Sequence, residues 1–164
     1  MLNITKKISA NTNKRMYEFL KENSVGTLST VNNSTEPHAS VVYYNIDENE
    51  SITFITKQNT RKANNIKQNS NVVLSVYEPV SQTVVQLEGA AELISSLTES
   101  QRAFKAMVLS ARQTSDSGIP PISKLKSGHY LAYRVVPRRM TMMVYARPDP
   151  GGYEMFDASE SFSK

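Results

Sequence analysis

The sequence of 164 residues contains no cysteine, only six glycines and only two histidines. Without cysteine the chain forms no disulfide, no thiolate metal site and no cysteine nucleophile. The chain has few glycines and no Gly-rich phosphate loop, which argues against a Rossmann dinucleotide site. It also lacks the nucleophile elbow that would indicate a Ser/His/Asp hydrolase. These absences exclude several enzyme classes that short motifs usually reveal.

Long apolar runs and long basic runs are missing as well. No stretch approaches the roughly 20 apolar residues that cross a bilayer, and residues 1–15 lack the apolar centre of a signal peptide. The net charge of +4 comes from scattered Lys and Arg residues, without a nucleic-acid motif. We therefore expect a cytoplasmic protein that binds neither membranes nor nucleic acid.

The composition is that of a folded globular protein, with 39% hydrophobic and 21% charged residues. A chain of this length builds one domain with a substantial core and is too short for two ordinary domains. We expect a single domain over residues 1–164, of which about 148–164 form a C-terminal tail.

Most of the sequence has the pattern of β-strands joined by turn-prone segments, which is typical of antiparallel connections. Gly89 indicates a bulge or a close backbone approach, and Pro137 separates the last two long strands because proline cannot donate to a sheet ladder. The predicted strands are 24–31, 37–46, 51–56, 71–77, 83–93, 128–136 and 139–146, with an edge strand over Tyr153–Phe156.

Three segments predict helices. Amphipathic spacing indicates a helix over 13–22, a short helix is expected over 60–68, and a capping box from Ser96 to Glu99 begins a third helix that runs to about residue 112. The proline-containing loop over 113–124 is a candidate lid or substrate-access loop. Six to seven antiparallel strands with few helices predict a mainly β protein, a small closed or split β-barrel with peripheral helices.

Arg61 and Lys62 stand at the N-terminus of the second predicted helix, where cations are not expected. A helix N-terminus carries positive partial charge, so cations there are unfavourable unless an anion lies among them. Phosphate would satisfy both cations, the free N–H groups and the hydroxyls of Thr56 and Thr60. A solvated basic turn that binds nothing is the alternative, and the local pattern leaves both open.

The order of these segments resembles the flavin-binding split-barrel family of pyridoxamine 5′-phosphate oxidase. The resemblance is carried by 24-SVGTLSTV-31, 37-PHASVVYYNID-47, 52-ITFIT-56, 60-TRKANNIKQNSNVVLSV-76 and 84-VVQLEGAAEL-93. It covers about residues 13–94 well and 128–156 more loosely. It implies an FMN-binding split barrel and a homodimer with flavin between the subunits.

The resemblance also implies roles for particular residues. Arg61 and Lys62 would bind the FMN phosphate, helped by the hydroxyl of Thr60. Ile55 and Thr56 would lie along the flavin, and Thr56 would donate or accept a hydrogen bond through its backbone or hydroxyl. These five residues form the phosphate-side half of the expected site.

The other half of the implied site comes from two strands. Backbone groups of Ser40, Val41 and Val42 would contact the edge of the isoalloxazine ring. Gln86, which points outward from the long strand over 83–93, would reach a flavin across the dimer interface.

Departures from the family pattern bear on the reaction. The vitamin-converting oxidase has Arg and a substrate Lys where this chain has Ala39 and Tyr44, and no histidine follows Arg147 to supply a substrate-binding Arg-x-His. Pyridoxamine phosphate is therefore not the expected substrate. His38 and His129 lack a third ligand at metal-binding spacing, so no metal site is expected.

These observations predict an FMN-dependent oxidoreductase that passes electrons between flavin and a small molecule. No side chain is a convincing acid or base, so no catalytic residue is assigned, and hydride transfer at flavin N5 requires none. One alternative is a non-catalytic flavin-binding or haem-binding storage, sensing or stress protein. Another is a reductase that uses a deazaflavin on the same barrel.

Overall fold

The computed structural model describes residues 5–7, 10–47, 49–113, 130–145 and 154–157. In chain order its elements are β1 (Thr5–Lys7), α1 (Ala10–Glu22), β2 (Val25–Val31), β3 (Pro37–Ile46), β4 (Ile52–Lys57), α2 (Arg61–Gln68), β5 (Asn71–Glu78), β6 (Thr83–Leu93), α3 (Leu97–Gln113), β7 (Tyr130–Val144) and β8 (Glu154–Asp157).

Six strands form a closed antiparallel barrel. They follow the order β4, β3, β2, β5, β6 and β7, and β7 pairs back onto β4. Outside the barrel, β8 pairs antiparallel with the end of β7, and β1 pairs parallel with β8. The predicted mainly β split barrel with peripheral helices is thus confirmed, whereas β1 was not predicted.

Strand alternation places the core inside the barrel. On β5, for example, Val72, Leu74 and Val76 are buried while Tyr77 is exposed, as expected for side chains that alternate between two faces. Met16 of α1 and Ile66 of α2 belong to the same buried cluster. No helix in the described ranges has the length and apolar character needed to cross a bilayer.

The prediction of two strands separated at Pro137 is wrong, because β7 continues through the proline. The ladder with β6 pairs Glu88 with Arg139 and Gly89 with Pro137, so Arg138 is an extra residue on β7. A β-bulge of this kind interrupts the ladder locally and therefore tolerates a residue without an N–H. The loop predicted over 113–124 begins inside α3, and its remainder lies outside the described residues.

The capping box predicted at the start of α3 forms only in part. Ser96 Oγ accepts a hydrogen bond from the N–H of Glu99 at 3.3 Å, as predicted. The Glu99 carboxylate pairs with Arg134 of β7 instead of returning to the Ser96 N–H. The Glu99–Arg134 pair therefore joins the first turn of α3 to the barrel.

Tyr44 closes the C-terminal end of α1. Its hydroxyl is within hydrogen-bond distance of the carbonyl oxygens of Leu20, at 2.9 Å, and of Asn23, and its side chain is 1% exposed. We predict that Tyr44→Phe lowers the unfolding free energy by about 1–2 kcal/mol, because the carbonyls of Leu20 and Asn23 lose the single O–H donor that they share. Urea unfolding measures this change, and Tyr77→Phe is the exposed control. Equal losses in both variants would contradict the assigned role.

The buried phenols of Tyr17 and Tyr44 should make the folded state less stable at alkaline pH. Burial, with a smaller contribution from Glu50, raises the pKa of Tyr17 from 10.0 to about 12, and burial raises the pKa of Tyr44 as well. Because these phenols ionise more readily in the unfolded chain, the stability present below pH 10.0 is lost as the pH rises toward the folded-state pKa. Urea unfolding between about pH 9 and about pH 11 should show a smaller loss for Tyr17→Phe than for the wild type. Identical slopes would contradict the assignment.

Candidate functional site

The barrel opens between β3 and β4. These strands pair only over Tyr44–Ile46 with Ile52–Phe54, and the ladder ends there. Since the N–H of Tyr44 bonds the carbonyl of Ser24 on the β2 side, alternation directs the backbone groups of Val41 and Tyr43 toward β4. We call this opening, between residues 40–43 of β3 and 55–57 of β4, the split. The backbone N–H and carbonyl of Val41 point into it and have no partner in the ladder between β3 and β4.

The N-terminus of α2 lies at the β4 side of the split. Thr60 is the N-cap residue: its hydroxyl accepts the N–H of Ala63 at 3.3 Å, and its carbonyl accepts the N–H of Asn64 at 3.0 Å. The unpaired N–H groups of the first turn are then those of Arg61 and Lys62. The two cations of the motif therefore coincide with the two free backbone donors.

The hydroxyl of Thr60 is engaged in holding this turn together. It donates to the Lys57 carbonyl at 3.0 Å, and it lies 3.0 Å from the hydroxyl of Thr56, which is buried. With these contacts and the Ala63 N–H, the Thr60 oxygen has little capacity left for a ligand. An anion at this position would meet the backbone N–H groups and the two cationic side chains instead.

Lys62 is a partly desolvated cation. Burial lowers the pKa of its ammonium group, and none of the ion pairs in the described residues involves it. Arg61, its neighbour, is exposed. A bound dianion would supply the missing counter-charge and favour the protonated form of Lys62.

The predicted flavin-edge residues have different surroundings. Val42 and Thr56 point into the barrel and are 5% exposed, whereas Val41 points outward and is 67% exposed. Ile55 is 8% exposed because it is packed in the cluster that α3 forms with the barrel. The Ser40 hydroxyl is buried and has no hydrogen-bond partner among the described residues. The backbone groups of Ser40 and Val42 face β2, where these residues pair with Leu28 and Gly26, so of the three predicted residues of β3 only Val41 directs its backbone groups toward the split.

Gln86 does not join this group within one chain. It lies exposed on the outer face of β6, where it pairs with Ser75 of β5 and Thr141 of β7. The path across the outer face from β6 to β3 crosses three inter-strand spacings in either direction, and the path from β6 through β7 to β4 crosses two, about 10 Å. Within one subunit, β7 therefore lies between Gln86 and the split.

Two anchors of α2 were not singled out from the sequence. Asn65 is 4% exposed and donates from Nδ2 to the hydroxyl of Thr30 at 3.1 Å, and Ile66 enters the barrel core. The apolar spacing from Ala63 to Ile66 signals the buried face of α2, but nothing in the sequence pairs Asn65 with Thr30. Together these contacts hold the helix against the end of the barrel.

The structure describes one of the two histidines. His38 is half-buried on β3, where its carbonyl accepts a bond from the Thr30 hydroxyl at 3.3 Å, and His129 lies outside the described residues. The ranges that the structure describes hold no group of three potential metal-ligating side chains.

A cavity of 360 Å³ opens away from the split, beside the bulge of β7, where it is lined by residues that include Ser29, Val73, Glu88 and Arg138.

The residues at the split fit a flavin mononucleotide. The two free N–H groups and two cations of α2 suit its phosphate, while the unpaired backbone edge of β3 suits the polar edge of its ring. The buried, unpartnered Ser40 hydroxyl is a further polar group beside this edge.

Comparisons with known proteins agree with this architecture. The sequence profile of the family described as Pyridoxamine 5′-phosphate oxidase matches residues 12–136. No curated protein matches the chain significantly.

Three solved structures illustrate the shared fold. The heme binding protein from Mycobacterium smegmatis is 14% identical with a TM-score of 0.69, over 94% of this chain and 61% of that protein. General Stress Protein 26 from Bacillus anthracis is 18% identical with a TM-score of 0.57, over 79% and 92%. PhzG from Burkholderia lata, in complex with tetrahydrophenazine-1-carboxylic acid, is 12% identical with a TM-score of 0.63, over 90% of each chain. At these identities the likeness concerns the fold alone.

Proposed function

The chain belongs to the pyridoxamine 5′-phosphate oxidase family, and from this premise we propose that it is an FMN-binding flavoprotein that transfers electrons between the flavin and a small molecule. The proposal rests on the junction, the place where the split meets the N-terminus of α2. There an unpaired backbone edge ends at a helix N-terminus whose two free N–H groups belong to Arg61 and Lys62.

Each part of the junction has a defined task. Arg61 and Lys62 bind the phosphate through charge-assisted hydrogen bonds and their backbone N–H groups. The backbone groups of Val41 and the N–H of Tyr43 are offered to the ring edge, and the part-buried Thr56–Thr60 contact of 3.0 Å holds the turn in place. FMN, when bound, supplies the redox chemistry, so the protein needs to position and shield it and no catalytic side chain is assigned.

Pyridoxamine phosphate is not the proposed substrate. At the position where the vitamin-converting oxidase has a substrate lysine, Tyr44 is buried and bonded to α1. Ala39, at the position of the oxidase arginine, provides no cation. The chain therefore lacks two of the groups that would hold that substrate.

We also propose that the protein is a cytoplasmic homodimer that binds flavin between its subunits. The outer face of the barrel carries an apolar row in which Val25 pairs with Tyr43, and Tyr77, Val84 and Met143 lie side by side. Val25 and Tyr77 are 39% and 58% exposed, which is unusual for a solvated sheet face. A second copy on this face would cover the row and bring its Gln86 toward the split.

The rival function is non-catalytic binding of flavin or haem. It is supported by the likeness of the fold to the heme binding protein from Mycobacterium smegmatis. A deazaflavin in place of FMN is a third candidate, since its phosphate-bearing tail would use the same cations.

The first test is the absorbance spectrum of the purified protein with and without added FMN, measured alongside its mass in solution. A flavin band on a dimer supports the proposal, and steady oxidation of a reduced nicotinamide or deazaflavin then distinguishes an enzyme from a binding protein. A protein that ignores FMN but acquires a haem spectrum on titration would favour the rival.

A further inference from the structure

Two consecutive hydrogen bonds join α2 to the barrel. Asn65 donates from Nδ2 to the hydroxyl of Thr30 on β2 at 3.1 Å, and the Thr30 hydroxyl donates to the carbonyl of His38 on β3 at 3.3 Å. The side chains of Asn65 and Thr30 are buried, at 4% and 3% exposure. We call the Asn65 amide, the Thr30 hydroxyl and the His38 carbonyl the polar relay. It links α2 through β2 to β3.

The relay requires a particular donor at each step. A hydroxyl has one proton to donate and two lone pairs that accept. Since the Thr30 proton is directed at the His38 carbonyl, Thr30 accepts from Asn65, which must present an N–H there. Loss of either side chain would leave a buried polar group without its partner, which costs more than an average hydrogen bond contributes.

Helix α2 depends on its contacts with the barrel for its position. It has only eight residues, about two turns, and helices this short are not stable alone in water. Its buried face consists of Ala63, Asn65 and Ile66. The apolar packing of Ala63 and Ile66 has no preferred direction, so it tolerates a small rotation or slide of the helix. The Asn65 hydrogen bond is directional and therefore selects one position.

The other printed side-chain bond between α2 and the barrel strands lies at the opposite end of the helix. There the Asn33 N–H donates to Gln68 Oε1 at 3.3 Å, and both residues are exposed. Exposed hydrogen bonds compete with water and stabilise little. The buried relay is therefore the contact that fixes the half of α2 that carries Arg61 and Lys62.

The relay connects the two parts of the proposed FMN site. Lys62 precedes Asn65 by three residues, so the two are neighbours on the helix surface. In β3, His38 precedes Val41 by three residues, about 10 Å along the strand, and the backbone groups of Val41 point into the split. A shift of α2 against β3 would therefore change the separation between the phosphate position and the ring edge.

We propose that Asn65, acting through Thr30, is a positioning residue for FMN, because it fixes the cations of α2 at the distance from the backbone edge of β3 that the ligand spans. This inference rests on the proposed binding of FMN at the split. Both residues are buried, so they act through the position of α2 and not by contact with the ligand. The relay favours FMN over riboflavin, since only a ligand with a phosphate reaches both ends of the site.

The test compares the affinities of the apoprotein for FMN and for riboflavin, measured by flavin fluorescence. We expect Asn65→Ala to weaken FMN binding about tenfold, because a smaller fraction of molecules holds α2 in the binding position, and to change riboflavin binding by less than about twofold. Asn64→Ala is the matched control and should change neither affinity, because Asn64 is exposed on the same helix. Equal losses for FMN and riboflavin in Asn65→Ala would indicate a merely structural role and overturn the proposal.

Thr30→Val tests the relay from the barrel side and decides the question if Asn65→Ala does not fold. Valine has nearly the shape of threonine and is favoured in strands, so this change removes the hydroxyl with little effect on packing. FMN binding should weaken about tenfold, whereas Thr30→Ser, which keeps the hydroxyl, should retain wild-type affinity. Wild-type FMN affinity in a folded Thr30→Val protein would overturn the proposal.

The double variant shows whether the two side chains act as one unit. Thr30→Val combined with Asn65→Ala should weaken FMN binding about as much as either change alone, because both remove the same interaction. Losses that add would mean that the two residues act separately, and the relay would be overturned.

The wild type distinguishes this proposal from the proposed function. If FMN binds with an affinity that depends on Arg61 and Lys62, but Thr30→Val and Asn65→Ala leave it unchanged, only the positioning proposal is overturned. If the wild type takes up no FMN, the proposed function fails and the positioning proposal fails with it.

Discussion

Replacing Arg61 and Lys62 together by alanine is expected to weaken FMN binding about 100-fold, or roughly 3 kcal/mol. The phosphate would lose two charge-assisted partners and keep only the backbone N–H groups of the first turn of α2. Because Arg61 is exposed, the larger share of the loss should come from Lys62, whose ammonium group is partly desolvated. Titration of the apoprotein with FMN, followed by flavin fluorescence, gives the affinity.

Two controls separate the phosphate contact from a general effect of charge. Riboflavin lacks the phosphate, so the double variant should bind it as the wild type does. Lys67→Ala removes an exposed cation from the last turn of the same helix and should leave FMN affinity nearly unchanged. Wild-type FMN affinity in a folded double variant would place the phosphate elsewhere.

The second large effect is expected at Gly89, where β6 passes the bulge of β7. A Cβ at Gly89 would lie 2.3 Å from the carbonyl oxygen of Val136 and 3.2 Å from the Cα of Pro137. Both are backbone atoms, so the contact cannot be relieved by turning a side chain. Gly89→Ala should therefore lower the unfolding free energy by about 3 kcal/mol, the upper end of the usual cost of overpacking.

Urea unfolding measures this loss, and Glu92→Ala is the control. Glu92 is exposed on the same strand, so its replacement should change the unfolding free energy by less than about 0.5 kcal/mol. Wild-type stability in Gly89→Ala would show that the two strands can move apart at the bulge. The close approach predicted from the sequence would then contribute little to the fold.

Local sequence signals predicted most of the elements because they depend on neighbouring residues. Alternating patterns and apolar runs of strand length predicted the strands other than β1, and the three helices were predicted to within a few residues at each end. Gly89 was correctly predicted to mark a bulge or a close approach. The error at Pro137 has a physical cause, since a proline is tolerated in a strand only when the partner ladder is interrupted, and that partner lies more than 40 residues away.

The residues of the candidate site also differ in how far the sequence could predict their place. Arg61 and Lys62 could be related to an anion from the sequence because they follow the N-cap Thr60 directly. Gln86 could not be placed, because its distance from the split depends on the order of the strands. The stacking of Phe104 on Tyr130 was missed because α3 and β7 are far apart in the chain.

By itself, the sequence determined most of the strands, the helices and the cationic start of α2, because hydrogen bonding and burial there involve residues a few positions apart. Only the tertiary structure decided where β3 leaves β4, how β7 passes Pro137, and that α3 packs over β3, β4 and β7. These features depend on pairing and packing between distant segments. The register of one strand against another is chosen by the whole barrel, and no local pattern specifies it.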